Sequence, residues 1–316
     1  MRSLSFAIVL CLLPAGLFAA EVSSPIRSVI AADKGKLVRY DEQGTPVWIY
    51  KEVKAVHRVQ QLENGNLLTQ QGWGKIIEVA PDKHIVWSYD AAHSNGNTGK
   101  AIEVHSFQRL PNGNTMVVEN GIGRIIEVNN RGEIVHQLNY QVSHLDAHRD
   151  VRQAHKLDSG NYLVCHEADG RVVEYTPDGT IAWEYEVPLF DKPPAGGHGP
   201  EAWGNQVFNA LRLKSGNTLI ATGNGHSILE VTPEKEIVWQ LHQQDLPGIT
   251  LAWVTSLEVL PNGNILFGNC HAGPDNPQLI EVTRNKEVVW TFRDFDLLGN
   301  ATAVSATAGS HPEILR

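Results

Sequence analysis

The 316-residue sequence contains few cysteines and no pattern of cysteines that binds metal. Of the three, Cys11 lies in an apolar N-terminal segment, and Cys165 and Cys270 fall in different sequence repeats. Without a Cys-x-x-Cys pair, a thiolate zinc site has no support. We therefore expect two separate buried thiols rather than a disulfide.

Basic charge is also scarce, with 26 lysines and arginines against 35 aspartates and glutamates, a net charge of -9. Proteins that follow a phosphate backbone concentrate basic side chains on one face, so we expect no nucleic-acid partner. Beyond the first 20 residues no apolar run is long enough to cross a bilayer. We expect no membrane span in the mature chain.

The N-terminus has the order of a secretory signal peptide. Arg2 precedes an apolar run over residues 6–13, and small residues lead to Ala19 and Ala20. This arrangement predicts a signal peptide over residues 1–20 and a single mature domain over residues 21–316. It indicates a periplasmic or secreted protein, which we expect to be a monomer.

Two repeated patterns predict the fold. An Asn-Gly or Ser-Gly turn directly follows a leucine at five places: residues 63–66, 111–114, 158–161, 214–217 and 261–264. Asn-Gly and Ser-Gly between apolar alternations are hairpin signals, because such turns need positive φ. A second pattern is a pair of apolar residues and usually a glutamate, followed by a turn and an apolar-apolar-aromatic strand. It starts at residues 35, 74, 123, 170, 226 and 277.

The second pattern has a fixed length, which indicates one repeated hairpin rich in β-branched and aromatic residues. Each unit therefore holds four antiparallel strands, A to D, within about 40–55 residues, the size of a propeller blade. In the second unit we predict strands over residues 103–110, 115–119, 124–128 and 133–138.

The two ends of the chain set the number of blades. Residues 28–50 contain strands B, C and D but no strand A, and residues 301–308 form a separate strand-like piece. If that piece supplies the missing strand, the ring closes without free edges. The sequence thus predicts an all-β, six-bladed β-propeller in which the C-terminal strand joins the N-terminal blade.

Candidate functional residues concentrate at the end of the ring that carries the B–C turns and the D–A loops, which we call the loop face. These connections vary in length, and binding residues concentrate on variable loops held by a rigid scaffold. The candidate catalytic residues are His57, His105, Arg152, His155 and His271. The candidate ligand-binding residues are Trp73, Asn120, His166, Trp203 and Asn209.

Metal binding has a weaker basis in the sequence. His144 and His148 stand four residues apart, a ligand-like spacing if their loop forms a helical turn. The sequence therefore leaves open whether the protein binds a metal ion as a cofactor. The repeated aromatic and glutamate positions are expected to pack and pair between strands.

Leu-Pro-Asn-Gly-Asn, at residues 110–114 and 260–264, and Ile-Ile-Glu-Val with Ile-Val-Trp, over residues 76–87, resemble repeats of bacterial arylsulfotransferases and of PQQ-like propellers. The resemblance spans about residues 28–295. It implies a periplasmic six-bladed propeller that passes sulfate through a histidine near the axis, helped by further histidines and an arginine. His57, His105, Arg152 and His271 have the matching residue types.

Two departures accompany this resemblance. Val207 stands where the family's His-x-Asn stretch has its histidine, and we expect no counterpart of the family's extra N-terminal domain. PQQ dehydrogenases use eight blades and dedicated quinone ligands, which the sequence does not show, so we do not expect PQQ.

Three functions follow as hypotheses. The first is a binding protein that holds a small polar ligand, a saccharide or an aryl compound, in a cavity lined by His, Arg and Trp. The second is an enzyme using the same cavity, either an arylsulfotransferase-like transferase or a metal-assisted lyase or hydrolase. The third is a protein-interaction scaffold.

Overall fold

The structure is a computed structural model that describes residues 28–306, so the predicted signal peptide lies outside the described residues. Those residues form six four-stranded antiparallel sheets arranged in a ring. The predicted six-bladed β-propeller is confirmed.

Blades 1 to 5 follow in chain order, and blade 6 combines both ends of the described chain. Blade 1 contains strands Gln60–Gln61, Leu67–Gln70, Lys75–Val79 and Ile85–Asp90; blade 2 contains Phe107–Arg109, Thr115–Glu119, Arg124–Val128 and Ile134–Asn139. Blade 3 contains Ala154–Lys156, Tyr162–His166, Arg171–Tyr175 and Ile181–Glu186; blade 4 contains Asn209–Arg212, Thr218–Ala221, Ser227–Val231 and Ile237–His242. Blade 5 contains Trp253–Val259, Ile265–Cys270, Leu279–Val282 and Val288–Phe292; blade 6 contains Ala303–Ala306, Val29–Asp33, Lys36–Tyr40 and Pro46–Tyr50. A 3-10 helix spans Gln243–Asp245 and a short α-helix spans Phe295–Leu298.

The repeated turn joins strand A to strand B in a hairpin, as the sequence predicts. In blade 1 the Leu62 amide donates to the carbonyl of Asn66 at 2.9 Å, and the Gly65 amide donates to the carbonyl of Leu62 at 2.9 Å. Gly65 has φ of +83°, a conformation that glycine adopts at little cost. This requirement explains why the turn glycine recurs.

Strand A of blade 2 begins later than predicted, at Phe107 rather than at residue 103. Before it, Glu103 forms an isolated antiparallel bridge to Asn120, and the Val104 amide donates to the carbonyl of Trp73 in blade 1, at 2.7 Å. The neighbouring blade thus accepts the hydrogen bond of the Val104 amide. Strands B and C of blade 2 match their predicted bounds.

The ring closes through blade 6. Ala303–Ala306 pairs antiparallel with strand Val29–Asp33, with Ala31 opposite Val304. The Asp33 carboxylate accepts from the Asn300 amide at 2.8 Å and so fixes the entry to the closing strand. The predicted closure is confirmed, and it pairs the strand edges that would otherwise be open.

The hydrophobic core is divided among the spaces between blades. One cluster packs Leu68 and Ile76 of blade 1 against Val117 and Ile126 of blade 2, and five others each combine two adjacent blades. Each blade therefore buries its faces against its neighbours.

A recurring clamp joins strands C and D of one blade to the next blade. Trp87 of blade 1 donates its indole N–H to the Asn130 carbonyl of blade 2 at 3.1 Å. Arg109 of blade 2 lies 4.9 Å over the Trp87 ring and pairs with Glu78 at 3.0 Å. Arg212 and Arg284 repeat this arrangement between blades 3 and 4 and between blades 4 and 5. The repeated aromatic and glutamate are therefore structural.

Cys165 and Cys270 are buried free thiols in blades 3 and 5, as expected. Burial raises the pKa of the Cys270 thiol to about 12. Within residues 28–306, no helix has the length and apolar character needed to cross a membrane.

Candidate functional site

A cavity of about 340 Å³ opens at the loop face. Loops from several blades bring charged, aromatic and imidazole side chains to its wall. They include Asp33, Lys54, His57, Trp73, His148, Arg152, His198, Trp253, His271 and Thr302.

Arg152 provides a buried positive charge at this cavity. Its Nε lies 2.6 Å from Oε2 of Glu167, and each side chain is 1% exposed. The two atoms form an ion pair without the alignment of a hydrogen bond. The guanidinium also lies 5.1 Å over the Trp253 ring. Glu167 thus offsets a charge that would be costly to bury alone.

Arg152 determines the protonation of two histidines. Its Nη1 donates to Nε2 of His57 at 3.2 Å and to Nδ1 of His105 at 2.9 Å. A guanidinium can only donate, so both ring nitrogens must be unprotonated acceptors. The remaining protons point away: His57 Nδ1 donates to the Ala55 carbonyl at 3.1 Å, and His105 Nε2 donates to Glu103 at 2.8 Å.

Burial keeps both imidazoles neutral. Desolvation, helped by the adjacent His105 and Arg152, holds the pKa of His57 well below its ordinary value. Desolvation and Arg152 do the same for the pKa of His105. The two rings stack with centroids 4.5 Å apart and planes 6° apart. Their lone pairs are already used, so neither is free to accept a substrate proton.

Glu103 joins His105 to a third histidine. The same oxygen, Oε2, lies 2.8 Å from Nδ1 of His148. The His148 ring meets those of Trp73 and His105 edge-on, with centroids 5.1 and 5.2 Å away. The His148 side chain is 45% exposed, and it lines the cavity.

The ligand atoms of Glu103, His105 and His148 lie within 4.8 Å of one another, a spacing that a metal ion could span. The hydrogen-bond geometry of this group fits bound protons better than a metal ion. A metal on Nε2 of His105 would move that ring's proton to Nδ1, where it would face the donating Arg152. We therefore treat the group as a hydrogen-bonded cluster.

The structure brings together several of the sequence-predicted residues. His57, His105 and Arg152 are in direct contact, and Trp73 stands beside both imidazoles at ring distances of 5.5 and 5.7 Å. His271 lines the same cavity with its Nδ1 2.9 Å from the sulfur of Cys270.

Other predicted residues lie elsewhere. His155 is not part of the cavity lining; its Nε2 is 2.9 Å from Oδ1 of Asn209, and its Nδ1 is 3.4 Å from Nη2 of Arg58. His144 is exposed and stands apart from the Glu103 cluster, so only His148 of the predicted metal pair reaches it. The loop that carries both histidines forms no helix, so their spacing does not align them.

Three predicted ligand-binding residues have structural partners instead. Asn120 donates to the Val151 carbonyl at 3.0 Å, and His166 bonds the Tyr175 hydroxyl at 2.9 Å. Trp203 donates to the Leu189 carbonyl at 3.1 Å and lies under Lys192 at 4.0 Å. None of the three lines the cavity.

Glu103, Trp253 and Lys54 belong to the site but are not among the residues predicted from the sequence. Glu103 precedes His105 by two residues, and Trp253 precedes Thr255, the blade 5 equivalent of His105, by two. Alternate residues of an extended segment share a face, so this spacing was the available signal. No sequence signal marked Lys54, because exposed lysines are common in loops.

No family model matches the chain, and no curated protein matches it. Solved structures do. A protein of unknown function from Bacteroides caccae has a TM-score of 0.74 at 22% identity, covering 90% of this chain and 99% of that one. Virginiamycin B lyase from Staphylococcus aureus has a TM-score of 0.53 at 12% identity, covering 85% of each chain.

A further neighbour is the extracellular domain of a hybrid two component system from B. thetaiotaomicron. Its TM-score is 0.54 at 15% identity, covering 85% of this chain and 33% of that one. The likeness is one of fold. The expected membership in the arylsulfotransferase or PQQ-like families is not shown by these matches.

Proposed function

We propose that the chain binds a small polar ligand, a saccharide or a single-ring aryl compound, in the loop-face cavity. The observation that carries the proposal is Trp73, which is 39% exposed and lines a cavity whose other groups are mostly polar. An exposed indole beside fixed polar groups suits a ring that is apolar on its face and polar at its edge.

The size of the cavity supports a small ligand over a scaffold role. Ligand pockets span about 300–1,000 Å³, and this one, about 340 Å³, is near the lower limit. A compound of one or two rings matches that volume, whereas a protein partner would need a broad and flatter surface.

The charge balance favours a neutral or weakly charged ligand. Arg152 is already paired with Glu167, and the lining contains both Lys54 and Asp33. The nearby His57 and His105 stay neutral. These features give little excess positive charge for a sulfuryl group, so they favour a hydroxyl-rich or aryl compound over a sulfate ester.

Export to the periplasm or the exterior belongs to the same proposal. It rests on the basic, apolar and small-residue order of residues 1–20. An exported protein would meet free saccharides and aryl compounds directly.

The test is a binding survey by calorimetry and tryptophan fluorescence with monosaccharides, disaccharides and aryl glycosides. We expect one class to bind one molecule per chain, and Trp73→Ala to weaken it at least tenfold, or about 1.4 kcal/mol. Phe190→Ala is the matched control, because Phe190 is also 39% exposed but lies in the separate 188–194 depression. Equal binding by the wild type and Trp73→Ala would contradict the proposal.

A further inference from the structure

We propose that His148 is a general base that acts on the ligand of the loop-face cavity, with Glu103 as its positioning residue. This inference rests on the proposed ligand binding and makes the protein an enzyme. It assigns the base to a histidine that no sequence pattern marked as catalytic.

The hydrogen bond to Glu103 fixes the tautomer of His148. A carboxylate accepts, so Nδ1 of His148 carries the proton that it donates at 2.8 Å. Nε2 therefore holds a lone pair. Among residues 28–306, no group forms a hydrogen bond to this Nε2, and the side chain lines the cavity.

The other histidines that line the described cavity lack this combination. The Nε2 lone pair of His57 is occupied by Arg152. His271 contacts the Cys270 sulfur and His198 stacks on Trp253, and neither donates to a carboxylate. A carboxylate on the far nitrogen orients an imidazole and stabilises the imidazolium that forms when it takes a proton. Among the histidines that line the cavity within residues 28–306, His148 alone has such a partner.

The loop that carries His148 is held in place. The His148 amide donates to Oδ1 of Asp146 at 2.8 Å, and the Asp146 amide donates to Asp150 at 2.7 Å. Asp150 in turn accepts from the Gly121 amide at 2.8 Å and from the Tyr140 hydroxyl at 3.0 Å. Preorganisation of this kind is what a catalytic base needs.

The reaction that these groups support is hydrolysis of an ester of an aryl or sugar alcohol. Nε2 of His148 removes a proton from water as the water oxygen bonds to the acyl carbon. The ester C–O bond then breaks, and the proton passes from Nε2 to the departing oxygen. Lys54, which lines the cavity, favours the negative charge that develops on the carbonyl oxygen.

The test measures hydrolysis of p-nitrophenyl acetate by the full chain. General-base catalysis contributes about 10²–10⁴-fold, so His148→Ala should lose at least a hundredfold in rate. Glu103→Gln should lose rate because its amide can donate to Nδ1 and move the ring proton to Nε2. His144→Ala, a change at an exposed histidine of the same loop, should retain the wild-type rate.

Nitrogen-15 spectra of histidine-labelled protein separate chemistry from folding. The wild type should show an unprotonated Nε2 at His148, and Glu103→Gln should show a protonated one in an otherwise native spectrum. A wild-type rate in His148→Ala would overturn the proposal, as would a protonated Nε2 in the wild type. If one of those results came with binding of saccharides or aryl glycosides that still depended on Trp73, only the proposal of a general base would be wrong. The proposed ligand binding in the cavity would be unaffected.

Discussion

Glu167 lies 2.6 Å from Nε of Arg152, and each of these side chains is only 1% exposed. The pair explains how an arginine can stand at the cavity without an external anion. It also explains why His57 and His105 are neutral, because Arg152 turns its Nη1 hydrogens toward both imidazoles.

Glu167→Gln should therefore destabilise the protein strongly. Removing one member of a buried ion pair leaves an uncompensated charge, which costs about 3–5 kcal/mol. Urea unfolding at neutral pH measures this loss. Glu133→Gln is the control, because Glu133 is 57% exposed in its ion pair with Arg131 and should change stability by less than about 1 kcal/mol. Equal effects of the two variants would contradict the account.

Stability should fall as the pH drops below the ordinary range of histidine. Burial lowers the pKa of His166 from 6.5 to about 4. Between these values the unfolded chain binds a proton that the folded chain does not, so acid favours unfolding. This one residue should remove up to about 3 kcal/mol between pH 6.5 and 4.

The pH effect is measured as the urea midpoint from pH 7.5 to 4.5. His166→Gln should be less stable at pH 7.5 but should lose less stability on acidification. His84→Gln, at a side chain that is 63% exposed, should keep the wild-type slope. A wild-type slope in His166→Gln would show that this histidine does not carry the effect.

Gly121→Ala should be more destabilising than Gly99→Ala. Both glycines have φ of +84°, so alanine incurs the same backbone cost at either position, about 1–2 kcal/mol. A Cβ on Gly121 would meet the Ala101 carbonyl oxygen at 2.2 Å, whereas one on Gly99 meets nothing within 4 Å. Comparing the melting temperatures of the two variants isolates the effect of the close packing around Gly121 in the B–C turn. Equal melting temperatures would contradict the prediction.

Zinc should not bind tightly through His105. Its Nδ1 accepts from Arg152 at 2.9 Å, which leaves the proton on the nitrogen that a metal would need. Calorimetric titration of the wild type with Zn²⁺ should show no stoichiometric site that His105→Ala removes. One zinc per chain in the wild type, lost in that variant, would contradict the proton assignment.

The fold could be predicted almost completely because its signals are local and repeated. The turn glycines and the fixed hairpin length defined the blades, and residues 28–50 and 301–308 revealed the closure. His57, His105 and Arg152 could also be placed together, because each occupies the same repeat position at the start of an inner strand.

The remaining site depends on contacts that no repeat encodes. Whether His155 reaches the cavity follows from its side-chain direction, which reverses with a one-residue shift in a strand. Whether His148 reaches it follows from the path of its loop, which is not helical. Glu103 gains its role from His148, which is 45 residues away in the chain. Asn120 and His166 have suitable residue types, but the Asn120 amide group donates to the Val151 carbonyl and the His166 ring bonds the Tyr175 hydroxyl.

The most direct test of the central claim is a crystal structure with the tightest ligand from the binding survey. We expect the ligand against the Trp73 ring, with a polar atom within hydrogen-bond distance of Nε2 of His148. Ligand bound elsewhere, such as in the depression formed by residues 188–194, would contradict it.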